Sequence, residues 1–159
     1  MQKITPFLWF DDQAEEAVQF YLSIFKDSRL IDESLTDKKS EDVSSVDLGE
    51  AMSISFELYG QRFIAFNGGP YFKFTPAISM FVDCVDQAEV DYYWDKLTEG
   101  GEAGQCGWLI DKFGVSWQIV PSVLSEVLNH PDRLKAQQAM DAMMKMTKLD
   151  IEILLNSVK

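Results

Sequence analysis

The chain has 159 residues, 47% of them apolar, and a formal net charge of −12. That suits one domain or two small fused modules with an ample core. The charge argues against nucleic acid, whose phosphates would be repelled, and against an anionic membrane surface, but leaves room for an anionic small ligand held by local donors. Neither a signal-peptide pattern nor an apolar run long enough to span a bilayer is expected in the sequence, which leads to the expectation of a cytoplasmic protein.

The first strand is expected at Phe7–Phe10, ending at Asp11. The tetrapeptide Asp-Gln-Ala-Glu follows at 12–15, where an Asp can cap a helix and Glu15 can complete a capping box. Ala14, Ala17, Val18, Tyr21, Leu22 and Phe25 recur at helical spacing. A short strand is expected at Arg29–Leu35, and the polar stretch Thr36–Glu50 reads as a solvated loop or mobile flap. Ala51–Tyr59 alternates cleanly, with Met52, Ile54, Phe56 and Leu58 on one face and Ser53, Ser55 and Glu57 on the other. Gly60-Gln61 turns the chain into Arg62–Phe66, and Asn67-Gly68-Gly69-Pro70 closes the first module. Tyr71–Phe74 reads as an aromatic-basic joint between modules, or as a loop that closes over a ligand.

The same order then repeats. A strand at Pro76–Val82 precedes a second Asp-Gln-Ala-Glu at 86–89. Val90, Tyr93, Trp94 and Leu97 mark the helix, and Gly100-Gly101 stops it. Gln105–Ile110, a turn at Asp111–Gly114, and Val115–Val120 complete the module. The strand, cap and helix recur in order, which reads as a duplication. The only cysteines, Cys84 and Cys106, fall in strand-like apolar runs and read as buried reduced thiols. A helical tail is expected as Val123–Leu128 capped by Ser122, then Arg133–Met146, then Lys148–Ser157 capped through Thr147 and Asp150. His130 reads as a helix-start residue beside Pro131. Met140, Met143, Met144 and Met146 form a stripe for core or interface packing, or an adaptable ligand surface.

Several segments carry a resemblance: Ile4–Phe10, Ala14-Glu15-Glu16-Ala17, Phe20-Tyr21, Ile24-Phe25, Asn67–Pro70, Gly104–Trp108, Asp111–Gly114, Ser116-Trp117-Gln118 and Pro121. With the duplicated module they resemble the vicinal oxygen chelate superfamily, which includes glyoxalase I, extradiol dioxygenases and the bleomycin- and fosfomycin-resistance proteins. Within it the chain resembles the PhnB-like branch labelled 3-demethylubiquinone-9 3-methyltransferase. The resemblance implies an α+β fold: two βαβββ modules forming a cleft-bearing mixed sheet, plus a C-terminal helical tail. The duplicated domain is expected over 1–121, as modules of about 1–70 and 75–121, and the extension over 122–159. A small-molecule ligand and a homodimer are implied as partners. Methyltransferase chemistry is not expected, because no Gly-rich turn after a first strand and no ribose-binding acid are present.

Metal-using members of the superfamily place ligands on the first, fourth, fifth and eighth strands. The resemblance carries those places to Thr5, Ala65, Ala77 and Gln118, a set too poor for a transition metal. No metal and no cofactor are therefore expected. If these places face the cleft, strand alternation adds their neighbours. The expected pocket residues are Thr5, Phe7, Trp9, Phe63, Asn67, Ser79, Phe81 and Gln118, with Gln105 and Trp108 from a Gly-flanked strand; Val120 shares their parity. Leu8, Ile64, Ile78, Met80, Trp117 and Ile119 would pack under the helices. Glu57, on the concave side in such a fold, is either a general base or a solvated rim residue. The leading expectation is a metal-free protein that binds an apolar or aromatic small molecule. The alternatives are an isomerase or lyase using Glu57 or a non-standard metal site at Gln118, and a structural dimer whose cleft is filled.

Overall fold

A computed structural model describes residues 2–36 and 51–159. The chain divides into two compact units, Met1–Lys73 and Phe74–Lys159. The loop expected at Thr36–Glu50 falls outside the described residues beyond Thr36, where β2 ends.

The first unit contains β1 (Phe7–Phe10), α1 (Ala14–Ile24), β2 (Ser28–Thr36), β3 (Ala51–Leu58) and β4 (Gln61–Asn67). Its sheet runs β1-β4-β3-β2, with β1 parallel to β4 and the other pairs antiparallel. Ala14, Ala17, Val18, Tyr21 and Ile24 form the buried stripe of α1. The stripe covers Ile54, Phe56, Leu58, Phe63 and Ala65, all buried, and Tyr21 stacks on Phe56 with ring centroids 6.2 Å apart. Burying each large apolar side chain of this kind stabilises the unit by about 1.5–3 kcal/mol.

Two local expectations are corrected here. The start of α1 has no cap from Asp12. The helix begins after Gln13 without a side-chain cap of its own, and the Ala14 N–H donates to Asn67 Oδ1 at the end of β4, at 2.8 Å. A carbonyl from a distant strand satisfies a helix-start donor that a local carboxylate was expected to take. The turn at Tyr59-Gly60 has φ of 45° and 77°. Two successive positive φ values suit a two-residue hairpin, whose twist matches the flanking strands. That turn sets Leu58 opposite Gln61 and Glu57 opposite Arg62.

The second unit repeats the order as β5 (Met80–Cys84), α2 (Gln87–Thr98), β6 (Glu102–Ala103), β7 (Trp108–Ile110) and β8 (Ser116–Pro121). Its sheet runs β5-β8-β7-β6, again with one parallel pair, β5 with β8. Here Asp86 caps the helix as expected, while Glu89 reaches back one residue beyond the N-cap position of a capping box. Asp86 Oδ1 accepts from the Glu89 N–H at 2.9 Å, and Glu89 Oε2 accepts from the Val85 N–H at 2.9 Å. The strand expected over Gln105–Ile110 is shorter: Gln105–Gly107 is a turn in which Cys106 takes φ 56° and Gly107 φ 82°.

Three helices finish the chain: α3 (Val123–Leu128), α4 (Arg133–Met143) and α5 (Ile151–Asn156). Ser122 does not cap α3; its hydroxyl donates to Asp83 Oδ1 at 2.8 Å. Asp132 and Asp150 cap α4 and α5 through the N–H groups of Leu134 and Ile153; α4 ends earlier, at Met143, and α5 starts later, after Asp150, than expected. His130 Nδ1 accepts from the Asp132 N–H in the break before α4. Leu124, Val127, Ala139, Met146, Leu149 and Leu154 enclose Val120 in a small core. Val120 is therefore covered by the tail and lines no cleft. The methionine stripe divides: Met146 is buried, Met143 packs against that core, and Met140 and Met144 are exposed.

Both cysteines are free. Cys84 is fully buried in β5, and burial, with Glu89 and Asp83 adding to it, pushes its thiol up to about 12. Cys106 is only half-buried, in the turn rather than a strand. A thiol must lose its proton to react. At pH 8 a thiol reagent is therefore expected to modify one cysteine per folded chain, Cys106, and to reach Cys84 only after denaturant is added. Two rapidly titrating thiols in the folded protein would contradict this.

Candidate functional site

On β5, β7 and β8, the face turned away from α2 carries a coherent set of side chains. The register places Phe81 opposite Gln118 and Gln118 opposite Trp108, a row of three across the sheet. Ser116 lies opposite Ile110 in the next row. Phe81 is 60% exposed, and Gln118 and Trp108 are half-buried. Gln118 Nε2 donates to Ser79 Oγ at 2.9 Å, tying the segment before β5 to the sheet. The expected residues Ser79, Phe81, Trp108 and Gln118 thus come together. Gln105 does not join them. It is exposed in the turn, and its carbonyl accepts from the Trp108 N–H at 3.0 Å.

Beside this row lies a pocket of about 160 Å³, lined by Pro76, Glu102, Gly104, Trp108, Ile110 and Ser116 among others. Its wall is almost wholly apolar. Two features hold its shape. Asp111, 2% exposed, accepts from the N–H groups of Phe113 and Val115 and from Trp117 Nε1, at 2.9, 3.0 and 2.8 Å. That fastens the β7–β8 turn and its register. Gly104 donates its N–H to the Trp108 carbonyl at 2.8 Å, closing the opposite edge.

In the first unit, the face away from α1 carries an aromatic ladder. Phe7 meets Phe66 at 5.4 Å between centroids, Trp9 meets Phe66 at 5.2 Å, and Trp9 meets Phe72 at 5.0 Å. Trp9 Nε1 donates to the Gly69 carbonyl at 2.9 Å. Its ring lies so close to Gly68 that a Cβ there would sit 2.1 Å from a ring carbon, which accounts for glycine in the Asn-Gly-Gly-Pro segment. Thr5 lies half-buried in the segment before β1.

The expected face of β4 is reversed. Phe7 pairs with Ile64, Leu8 with Ala65 and Trp9 with Phe66, so Ile64 and Phe66 share the face of Phe7 and Trp9. Phe63 and Ala65 pack under α1, with Phe63 stacked on Phe56 at 5.3 Å, and Asn67 is committed to the start of that helix. Phe63 and Asn67 are placed by the register on the helix side rather than beside Trp9.

Glu57 lies on the same face as the ladder, but its carboxylate is occupied. Arg29 Nε and Nη2 reach Oε1 and Oε2 at 3.1 and 3.2 Å, and Arg62 Nε stands 3.7 Å from Oε2. An oxygen that abstracts a proton would first have to leave its guanidinium. The sequence carried a signal for part of this. A two-residue hairpin turn at Tyr59-Gly60 puts Glu57 opposite Arg62.

The residues do not fit a transition metal. Thr5 and Ala77 precede their strands, Ala77 is exposed, and Ala65 points under α1. Its neighbours on the ladder face, Ile64 and Phe66, have no donor atom. Thr5 and Gln118 each offer one neutral oxygen, and among the described residues no three His, Cys, Asp or Glu side chains converge. Tight binding needs several such ligands acting together.

Among the described residues no helix is long and apolar enough to cross a membrane. Residues 2–120 match the family described as 3-demethylubiquinone-9 3-methyltransferase. No curated protein matches the chain. Among solved structures, the PhnB protein of Bacillus cereus, which carries that family name, is 35% identical over 76% of this chain and 100% of its own, with a TM-score of 0.64. A protein from Pseudomonas aeruginosa is 19% identical over 76% and 98%, with a TM-score of 0.62. The fosfomycin resistance protein FosX of Listeria monocytogenes is 16% identical over 81% and 98%, with a TM-score of 0.57; the last two likenesses concern the fold. With its paired βαβββ units and helical tail, the chain belongs to the 3-demethylubiquinone-9 3-methyltransferase-like (PhnB) family of the vicinal oxygen chelate superfamily.

Proposed function

We propose that this protein binds a small, apolar or aromatic molecule without using a metal, in the manner of the bleomycin-resistance proteins of its superfamily. One observation carries the reading: the row Phe81–Gln118–Trp108 beside an apolar pocket on a single sheet face. An apolar recess with a few neutral polar groups is the usual make-up of a small-molecule site. The donor set supports the metal-free part, in contrast to Listeria FosX, one structure of which contains manganese(II). The family name suggests methyl transfer, but each described sheet is a four-stranded mixed sheet. Neither offers the parallel strand–glycine turn–helix unit that cradles a nucleotide cofactor. The clamp of Arg29 and Arg62 on Glu57 counts against an isomerase or lyase with Glu57 as base. A homodimer belongs to the proposal, since Met140 and Met144 leave apolar surface on the tail and a C2 contact would cover it.

Native mass spectrometry of freshly purified protein tests all three parts. Twice the 18.1 kDa chain mass is expected, with no stoichiometric metal and with an organic adduct that collisional activation removes. About one divalent metal per chain, lost on Gln118→Ala, would overturn the reading and favour an enzyme.

A further inference from the structure

Gln118 is the polar centre of an otherwise aromatic row. Its Nε2 donates to Ser79 Oγ at 2.9 Å, and among the described residues its side chain makes no other hydrogen bond. A carboxamide carries two donor hydrogens and an acceptor oxygen, so one Nε2 hydrogen and Oε1 are left over. Turning the amide over changes which end holds Ser79 and still leaves a donor and an acceptor. Oε1 is also within reach of a ligand. Gln118 is half-buried, and among the described residues the one closed-off side-chain nitrogen or oxygen without a partner is Ser116 Oγ. We infer that Gln118 reads a neutral amide on an aromatic ligand, a primary carboxamide or a lactam by chemical class. Its Oε1 accepts the ligand N–H, and its Nε2 donates to the ligand carbonyl. The inference rests on the small-molecule reading above and names the polar group of the ligand.

Three features select that class. Phe81 and Trp108 flank Gln118 on the neighbouring strands. Strands about 4.8 Å apart bring both rings within reach of one planar ligand, which they can meet in offset or edge contact. Charge supplies the second selection. The rows on either side each carry a carboxylate and no Lys or Arg: Glu102 opposite Ile110, which pairs with Ser116, and Asp83 opposite Val120. An anionic ligand would meet like charge there. The third selection is the pairing itself. A ketone or ester offers an acceptor alone, whereas an amide matches both leftover atoms of Gln118. A polar group left unpaired beneath a bound ring costs affinity, so the site discriminates against the analogue that lacks the donor. Ser79 is a positioning residue, holding the carboxamide of Gln118 in one orientation.

Benzamide and acetophenone are nearly isosteric and differ in an NH2 against a methyl group. NMR titration of the full-length, isotope-labelled protein is expected to show benzamide binding about tenfold more tightly than acetophenone, the worth of one hydrogen bond. The Gln118 side-chain NH2 signal, identified by its absence in Gln118→Met, should shift as benzamide is added. Benzoate should bind more weakly than benzamide. In Gln118→Met the preference for benzamide should disappear while acetophenone binding is kept. In Ser79→Ala the benzamide-to-acetophenone ratio should fall severalfold with acetophenone unchanged, which a merely structural role would not produce. Equal affinities for benzamide and acetophenone in the natural protein would overturn the inference, as would no binding of either. So would a preference that survives Gln118→Met, or benzoate binding as tightly as benzamide. An unchanged ratio in Ser79→Ala would overturn the part given to Ser79. Binding of both ligands without discrimination would sink this inference and leave the broader function standing.

Discussion

Asp111→Ala is expected to destabilise the protein by about 3–5 kcal/mol, because each buried donor left unpaired costs about 1–3 kcal/mol. Three donors converge on this carboxyl: the N–H groups of Phe113 and Val115 on Oδ1, and Trp117 Nε1 on Oδ2. Asp111→Asn sharpens the test. An amide can keep its oxygen toward the two backbone donors, but then sets an NH2 group against the indole N–H. Adding Trp117→Phe removes that donor-against-donor contact, so the double variant should lose less than the sum of the single losses. Urea unfolding followed by circular dichroism reads all four variants, Trp117→Phe alone included. A loss below about 1 kcal/mol for Asp111→Ala would mean that the turn finds other acceptors. The consequence reaches the site, because this turn sets the β7–β8 register that aligns Trp108 with Gln118 and Ile110 with Ser116.

The repeated Asp-Gln-Ala-Glu made the element order legible because each copy sits between an apolar strand and a helical stripe. Face assignment was legible only where a strand had a polar phase. β3 alternates Ser53, Ser55 and Glu57 against Ile54, Phe56 and Leu58, and its faces follow directly. β4 reads Phe63, Ile64, Ala65 and Phe66, apolar on both sides, so alternation alone gives no phase. The phase assumed from the metal positions of the superfamily was the wrong one, and the register with β1 reverses it. The cap of α1 was hidden for a different reason. Asn67 lies 53 residues from the N–H it accepts, and a local cap pattern cannot report a non-local donor–acceptor pair. That the buried Ser116 hydroxyl lacks a hydrogen-bond partner is visible only once its neighbours are in place.

The C-terminal helices depend on one glycine, and Gly107→Ala is expected to cost about 2–4 kcal/mol, the left-handed backbone alone accounting for about 1–2. Gly107 holds φ 82° directly after Cys106 at φ 56°. A Cβ at Gly107 would stand 2.7 Å from the Ile119 carbonyl oxygen and 3.1 Å from Leu149 Cδ1. The first neighbour is backbone in the central strand and cannot step aside, and the second is fully buried in the tail core. The same two residues hold the tail by main-chain bonds. The Cys106 N–H donates to the Met146 carbonyl at 2.8 Å, and the Gly107 N–H to the Thr147 carbonyl at 2.7 Å. Gln87 adds a clasp from α2, donating to the Leu149 carbonyl and accepting from the Ile151 N–H. A methyl group at Gly107 therefore loosens the sheet end and the tail together. Hydrogen exchange should speed up at the amides of 106 and 107, and limited proteolysis should begin within 143–150. Cys106→Gly provides the contrast, since it relieves a positive φ without adding an atom and should hold or raise stability. Equal stability of the Gly107→Ala and natural proteins, with the tail still protected, would show that the turn can flatten and that the tail is held by its apolar core alone.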